Sequence, residues 1–137
     1  MVFAGVFDKF PRLKVGSVEH EAAWIPHWLK QMDFTYLERP VFTKGWRSKD
    51  GLMPSDYWKR NMFVEFMEDD IGIKLRDYIG VDTMLWGSDY PHMEGTFGHT
   101  QATLHQLFDG VDQATRDRIL VGSFAELFPD APLPPGP

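Results

Sequence analysis

Three short apolar runs alternate along this chain with segments of helical periodicity, and this alternation limits the folds that the chain can adopt. The runs lie at 13–19, 61–67 and 83–88, and each is followed by apolar residues spaced three or four apart. Strands and helices that alternate in this way form parallel sheets through right-handed crossovers. Because three strands cannot close a barrel, the order predicts an α/β fold of one of two kinds. It is either a small open domain or the last three βα units of a (β/α)₈ TIM-type barrel.

The helical segments between these runs have predictable ends and faces. Pro26 suits the first turn of a helix whose apolar stripe is Ile25, Trp28, Leu29 and Met32. Acids at 68–70 would stand at the positive end of the next helix dipole. The buried face of that helix is predicted to be Ile71, Leu75, Tyr78 and Ile79. Asp112 and Ser123 are predicted to cap two short helices near the end of the chain, and Pro54 to begin a single turn.

Length and composition restrict the class of protein. A chain of 137 residues with 43% apolar and 15% aromatic residues can bury the core of one domain. Residues 1–128 are predicted to form that domain, and the Pro-rich tail at 129–137 to be extended and loose. A net charge of −6 argues against nucleic acid or an anionic membrane as partner. No apolar stretch approaches the roughly 20 residues of a membrane span, and no signal peptide is visible. A cytoplasmic location is expected.

Ionisable side chains follow the first and third apolar runs. Thr83 to Trp86 reads as a buried strand, and Gly87 and Ser88 then lead to Asp89, with His92 three residues later. Parallel α/β folds place their ligands at the carboxyl ends of strands. The pattern alone is somewhat more typical of a turn in which Asp89 only caps the next segment.

Glu19, His20 and Glu21 occupy the corresponding place after the first run. Within the second run, Glu65 is either an acid of a pocket or a charged residue turned towards a helix end. Because the chain has no cysteine, any metal would have to be held by His, Asp or Glu.

Four segments resemble one known family. Residues 3–15 (FAGVFDKFPRLKV), 24–33 (WIPHWLKQMD), 80–92 (GVDTMLWGSDYPH) and 119–128 (ILVGSFAELF) are similar to the amidohydrolase-related family, which contains the aminocarboxymuconate-semialdehyde decarboxylase-like enzymes. The family usually has Asn at the position of Ser123. The resemblance extends over nearly the whole chain to Phe128, and it implies that the three βα units are the last three of a (β/α)₈ barrel.

The resemblance also implies roles for individual residues. Asp89 is similar to the family's aspartate that ligates a divalent metal and exchanges a proton with water or substrate. Glu19 stands where decarboxylase members carry a catalytic His, and His20 beside it is a further catalytic candidate. Residues near the same site are candidates for substrate binding, namely His92, Trp86 and His99.

The family's remaining metal ligands have no counterpart in this sequence. The resemblance implies an H-x-H pair on the first barrel strand and a His on the fifth, and the chain contains no H-x-H. Zinc is the predicted metal and manganese the alternative, because nitrogen and oxygen ligands do not discriminate sharply between them. The chain alone is expected to be inactive unless a missing amino-terminal barrel half or a homo-oligomer completes the site.

Three functions remain open. In the first, the chain is part of a metal-dependent amidohydrolase-family enzyme whose parent reaction is hydrolysis of a small carboxylated or cyclic substrate. The second is metal-dependent decarboxylation of an aromatic or unsaturated acid. The third is a non-catalytic α/β fragment or interaction module, which includes the fragment of a truncated gene. A small molecule is the expected ligand in both enzymatic cases.

Overall fold

The computed structural model describes residues 1–132. Its sheet consists of three parallel strands in the order β1-β2-β3, with β1 at Val15–Ser17, β2 at Met62–Phe66 and β3 at Met84–Trp86. The predicted parallel α/β sheet is therefore confirmed, although each strand is shorter than its apolar run. Residues 133–137 of the predicted tail lie outside the described residues.

Helices connect and flank the strands. A 3₁₀ helix at Val2–Ala4 precedes α1, another at Val81–Thr83 precedes β3, and a π-helical turn at Arg118–Gly122 joins α7 to α8. The eight α-helices are α1 (Val6–Lys9), α2 (Ile25–Glu38), α3 (Pro54–Asn61), α4 (Asp70–Lys74), α5 (Arg76–Ile79), α6 (Thr100–Leu107), α7 (Gln113–Asp117) and α8 (Ser123–Leu127). Among the described residues, no helix has both the length and the apolar character needed to cross a membrane.

The two faces of the sheet differ in what they bury. Val64, Phe66 and Met84 point to one face and are at most 1% exposed. On the other face Phe63 and Glu65 are half-buried, Phe63 beside Gly16 of β1 and Glu65 beside Gly87, which directly follows β3. A Cβ on Gly16 would lie 2.5 Å from the Phe63 ring. The first face therefore carries the hydrophobic core, and the second carries an ionisable residue close to the end of β2.

Several local expectations were wrong. The helix predicted after β2 is interrupted at Leu75, so that Ile71 and Tyr78 are 49% and 73% exposed and do not share a buried face. The break rotates Tyr78 away from the core, while Ile79 remains fully buried. Ser123 caps no helix, because its hydroxyl is buried without a hydrogen-bond partner among the described residues. Helix α3 continues for eight residues instead of one turn and runs directly into β2.

Candidate active site

Acidic residues with left-handed backbone conformations follow β1 and β3. Glu19 (φ 61°) and Glu21 (φ 54°) lie beyond β1, and Asp89 (φ 55°) lies beyond β3. Such angles are unfavourable for residues with a Cβ, and they persist where the surrounding structure fixes them, often at functional sites. Because the strands are parallel, these residues meet at one edge of the sheet.

Glu65 brings a further carboxylate to this edge. Its Oε2 accepts a hydrogen bond from the Glu19 backbone N–H at 3.2 Å. Its other oxygen lies so close to Gly87 that a Cβ on this glycine would stand 2.2 Å from Oε1. The absence of a side chain at residue 87 therefore makes room for the Glu65 carboxylate next to the loop that carries Asp89.

These side chains line an open cavity of about 350 Å³ at the carboxyl edge of the sheet. Its lining residues are Glu19, Glu21, Glu65, Phe66, Met67, Asp89, His92 and Glu94. A smaller depression beside α6 is lined by other residues and does not include Asp89. The cavity at the strand ends is the candidate site because it collects the acidic side chains.

The electrostatics of the cavity are dominated by carboxylates. Burial raises the pKa of the Glu65 carboxyl, and the nearby carboxylates of Asp89, Glu21 and Glu19 raise it further. The hydrogen bond from the Glu19 backbone N–H opposes the rise. No Lys or Arg is among the described residues that line the cavity. The site therefore holds more negative charge than it compensates.

A Glu65→Gln substitution is expected to stabilise the protein at neutral pH. The folded state holds the Glu65 proton more tightly than the unfolded state does, so wild-type stability falls as the pH rises from the ordinary glutamate pKa to the raised folded pKa. The variant lacks this loss. Its advantage should be on the order of 1 kcal/mol or less, because Glu65 is only half-buried, and should vanish near pH 4.

Urea unfolding at pH 4 and pH 7.5 measures the difference. Glu94→Gln is the matched control, because it removes an exposed carboxylate from the same cavity. An equal gain in both variants, or a gain for Glu65→Gln that persists at pH 4, would show that burial does not raise the Glu65 pKa.

The histidines predicted for the site differ in position. His92 lines the cavity, and its Nδ1 lies 3.2 Å from Asp89 Oδ2. The His20 ring turns back to its own loop, with Nδ1 2.7 Å from the Glu19 carbonyl oxygen. His99 is exposed, and its Nε2 lies 3.6 Å from Glu68 Oε1, outside the lining. The structure therefore brings together His92 and Asp89, and it places the other two imidazoles elsewhere.

Trp86 lies at the end of β3 on the face opposite Glu65. Its indole N–H donates to the Met67 carbonyl oxygen at 3.0 Å, and the side chain is absent from the cavity lining. Its position links β3 to the loop after β2, and its substrate-binding role stays a prediction that this position does not support.

Solved structures with a similar fold include decarboxylases and an amidohydrolase. No protein-family model matches the chain. The 5-carboxyvanillate decarboxylase LigW from Sphingomonas paucimobilis superposes with a TM-score of 0.75 and 23% identity over 94% of this chain and 37% of its own. Amidohydrolase map2389c from Mycobacterium avium subsp. paratuberculosis superposes with a TM-score of 0.73 and 25% identity over 93% of this chain and 31% of its own. A dihydroxybenzoic acid decarboxylase from Polaromonas, solved with manganese and the inhibitor 2-nitroresorcinol, superposes with a TM-score of 0.63 and 21% identity. The match covers 93% of this chain and 37% of the decarboxylase.

The chain has the fold of part of an amidohydrolase barrel. These neighbours confirm the predicted resemblance and the predicted partial (β/α)₈ architecture. The chain spans about a third of the length of the structures that it matches. The predicted division into a domain at 1–128 and a tail remains a prediction.

The cavity of this partial amidohydrolase barrel offers donors for a divalent metal, but not a complete set. Carboxylate oxygens are ligands that such ions accept. Burial is the main cause that raises the pKa of Glu65, and the carboxylates of Asp89, Glu21 and Glu19 add negative charge that a cation would offset. Within residues 1–132, no three His, Asp or Glu side chains are close enough to hold an ion together. The carboxylates of the cavity are therefore suitable donors for a divalent ion but do not form a complete ligand set among the described residues.

Sequence reasoning left two residues of this cavity undecided or unnoticed. The sequence allowed Glu65 to face either a pocket or a helix end. Glu65 pairs with Leu85, which lies two residues before Gly87, and this register places the Glu65 side chain on the cavity side of the sheet. Glu94 lines the cavity from the loop after β3. An acid within an apolar strand, with a glycine directly after the next strand, is the signal that could have identified Glu65.

Proposed function

We propose that this chain contributes the last three βα units of a metal-dependent amidohydrolase-type enzyme that acts on a small carboxylated or cyclic molecule. The observation that carries the proposal is the position of Asp89. It lies three residues after β3 and lines the same cavity as Glu19 and Glu65, in a chain with the fold of part of an amidohydrolase barrel. The non-catalytic module is the alternative that the experiment below excludes or supports.

Asp89 is the residue that we assign to the metal and to proton transfer. Its side chain is 26% exposed, so one face is open to the cavity, and His92 stands against Oδ2. An imidazole in this position can orient the carboxylate and accept or return a proton. When bound, a divalent ion supplies a Lewis acid that polarises substrate oxygens and acidifies water. Glu19 and Glu65 would face the substrate from the neighbouring strand ends.

Hydrolysis is the first candidate reaction. The supporting observation is Glu19, which stands where the resemblance places a His in decarboxylases. A carboxylate there repels a substrate carboxylate and is better suited to accept a proton from water.

Decarboxylation is the second candidate, and the decarboxylases among the structural neighbours support it. LigW and the Polaromonas enzyme are both decarboxylases of aromatic acids, and the latter was solved with manganese. In this reaction Asp89 would manage the proton that replaces the lost carboxylate. We propose a divalent metal in either case, with zinc and manganese as the two candidates.

Completion of the barrel is part of the proposal. Both outer strands have one unpaired edge in the described sheet, and unpaired edges are places where further strands add. We propose that an amino-terminal barrel half, or further copies of the chain, supplies the remaining strands and the missing ligands.

A chimeric barrel tests the proposed function. Residues 1–128 would replace the matched 37% of LigW, and the dialysed protein would be analysed for zinc and manganese. We expect about one metal ion per chimera and substoichiometric metal in the 137-residue chain alone. Release of CO₂ from 5-carboxyvanillate and hydrolysis of a small carboxylated lactone then distinguish the two reactions. A folded chimera without metal would overturn the proposal, and stoichiometric metal in the chain alone would overturn the need for completion.

A further inference from the structure

Two loops at the carboxyl edge are tied together by carboxylates that reach in opposite directions. From the loop after β1, Glu21 Oε2 accepts from the Met67 backbone N–H at 3.2 Å, and Oε1 accepts from the Glu68 N–H at 3.3 Å. From the loop after β2, Asp69 Oδ2 accepts from the N–H groups of Ala22 and Ala23, each at 2.7 Å. Each loop therefore donates two backbone hydrogen bonds to a carboxylate of the other loop.

Asp69 is built into this arrangement more deeply than a helix cap requires. It is 8% exposed, and its Oδ1 also accepts from the Gly72 N–H at 2.6 Å. A Cβ on Gly72 would lie 2.7 Å from Asp69 Oδ2 and 3.1 Å from the Ala22 Cβ. Helix α4 thus begins against the loop after β1, with space only for a glycine at the contact.

The loop after β1 needs such external support because of its backbone. Glu19 and Glu21 both have left-handed φ angles, which residues with a Cβ adopt only when the surrounding structure determines them. Hydrogen bonds to ionised carboxylates are stronger than those between neutral groups. Neither Glu21 nor Asp69 forms a salt bridge within residues 1–132, so the backbone N–H groups are the partners that the structure shows for these charges.

We propose that Glu21 and Asp69 are positioning residues that fix the loop after β1 against the loop after β2, and thereby hold Glu19 at the cavity. The functional meaning of this brace rests on the proposed function, since the brace matters to catalysis only if Glu19 belongs to a working site. The mechanical effect of the brace does not depend on the proposed function. It can be measured at the Glu19 N–H, which donates to Glu65 Oε2 and is not a direct partner of Glu21 or Asp69.

Amide hydrogen exchange of the full 137-residue chain, followed by NMR, tests the brace. Glu21→Gln replaces one of the two accepting oxygens, and Glu94→Gln is the matched control that removes a charge from the same cavity without a backbone partner in the described hydrogen bonds. We expect at least about tenfold faster exchange in Glu21→Gln at Met67, Glu68 and Glu19. The amide of Val64 in β2 should change less than about twofold, and the control should leave all four amides unchanged.

Three results would overturn the brace. Faster exchange at residues 67 and 68 with an unchanged Glu19 amide would mean that Glu21 acts only on its direct partners. An equal acceleration at Val64 would mean a general loss of stability, and an equal effect of Glu94→Gln would mean that charge alone is responsible. Asp69→Asn is the second variant and should accelerate the Ala22, Ala23 and Glu19 amides. Because the readout needs neither metal nor activity, the chimera can fail while the brace holds, and the reverse is equally visible.

Discussion

Trp58→Ala should lower the free energy of unfolding by about 3–5 kcal/mol, the range found when a buried aromatic residue is truncated in a core. Trp58 is fully buried, and its ring meets that of Trp28 edge-to-face with centroids 6.0 Å apart. Its indole N–H donates to the Ile79 carbonyl oxygen at 2.8 Å and to Thr83 Oγ1 at 3.0 Å. One side chain therefore connects α2, α3, α5 and the turn that leads into β3.

Most of this loss should come from lost volume rather than lost hydrogen bonds. Thr83 Oγ1 also lies 2.8 Å from the Gly80 carbonyl oxygen, so it keeps a partner when the indole is removed. Trp58→Phe is the matched control, because it retains an aromatic ring and should cost roughly 1 kcal/mol for the missing N–H bonds in addition to a small packing loss. Urea unfolding monitored by circular dichroism measures both. If Trp58→Ala cost no more than Trp58→Phe, the indole would not fill the centre of the core.

The core and the sheet could be predicted because their signals are local. Apolar runs at the right length gave the three strands, and a parallel arrangement followed from the helices between them. The ends of the strands were less accurate. The first strand was predicted to reach residue 19 but ends at Ser17, before the left-handed Glu19, and no Gly or Pro marks that place. The prediction of one buried face for α4 and α5 was wrong, because helical periodicity assumes one continuous helix and these two helices are separated at Leu75.

The candidate site was only partly visible in the sequence for a related reason. Asp89 follows an apolar run and a Gly-Ser pair, so its place at a strand end was predictable, as was its closeness to Glu19 through parallel pairing. The brace was not, because Glu21 and Asp69 bind backbone N–H groups 46 or 47 residues away along the chain. Backbone partners carry no residue identity, and a sequence therefore contains no pattern for them. In the sequence, Asp69 was indistinguishable from an ordinary acid in the first turn of a helix.

Asp89→Asn in the chimera should remove the metal and reduce turnover by more than about 100-fold. Loss of a group that merely supports a ligand already costs 10–100-fold in metal affinity or activity, so loss of the ligand itself should exceed that range. Asn is nearly the same size as Asp and tolerates the left-handed backbone of residue 89. The substitution therefore removes the charge and one accepting oxygen without straining the loop.

Elemental analysis and steady-state kinetics measure the loss, and circular dichroism confirms that the variant is folded. Asp109→Asn is the control, because it makes the same change at an exposed residue after α6, away from the cavity, and it should retain metal and turnover. His92→Gln should have an intermediate effect. The imidazole Nδ1 lies 3.2 Å from Asp89 Oδ2, so removal of the ring should weaken metal retention less than Asp89→Asn does. A folded Asp89→Asn chimera that kept both metal and turnover would remove Asp89 from the site and with it the reason for placing the chemistry at the end of β3.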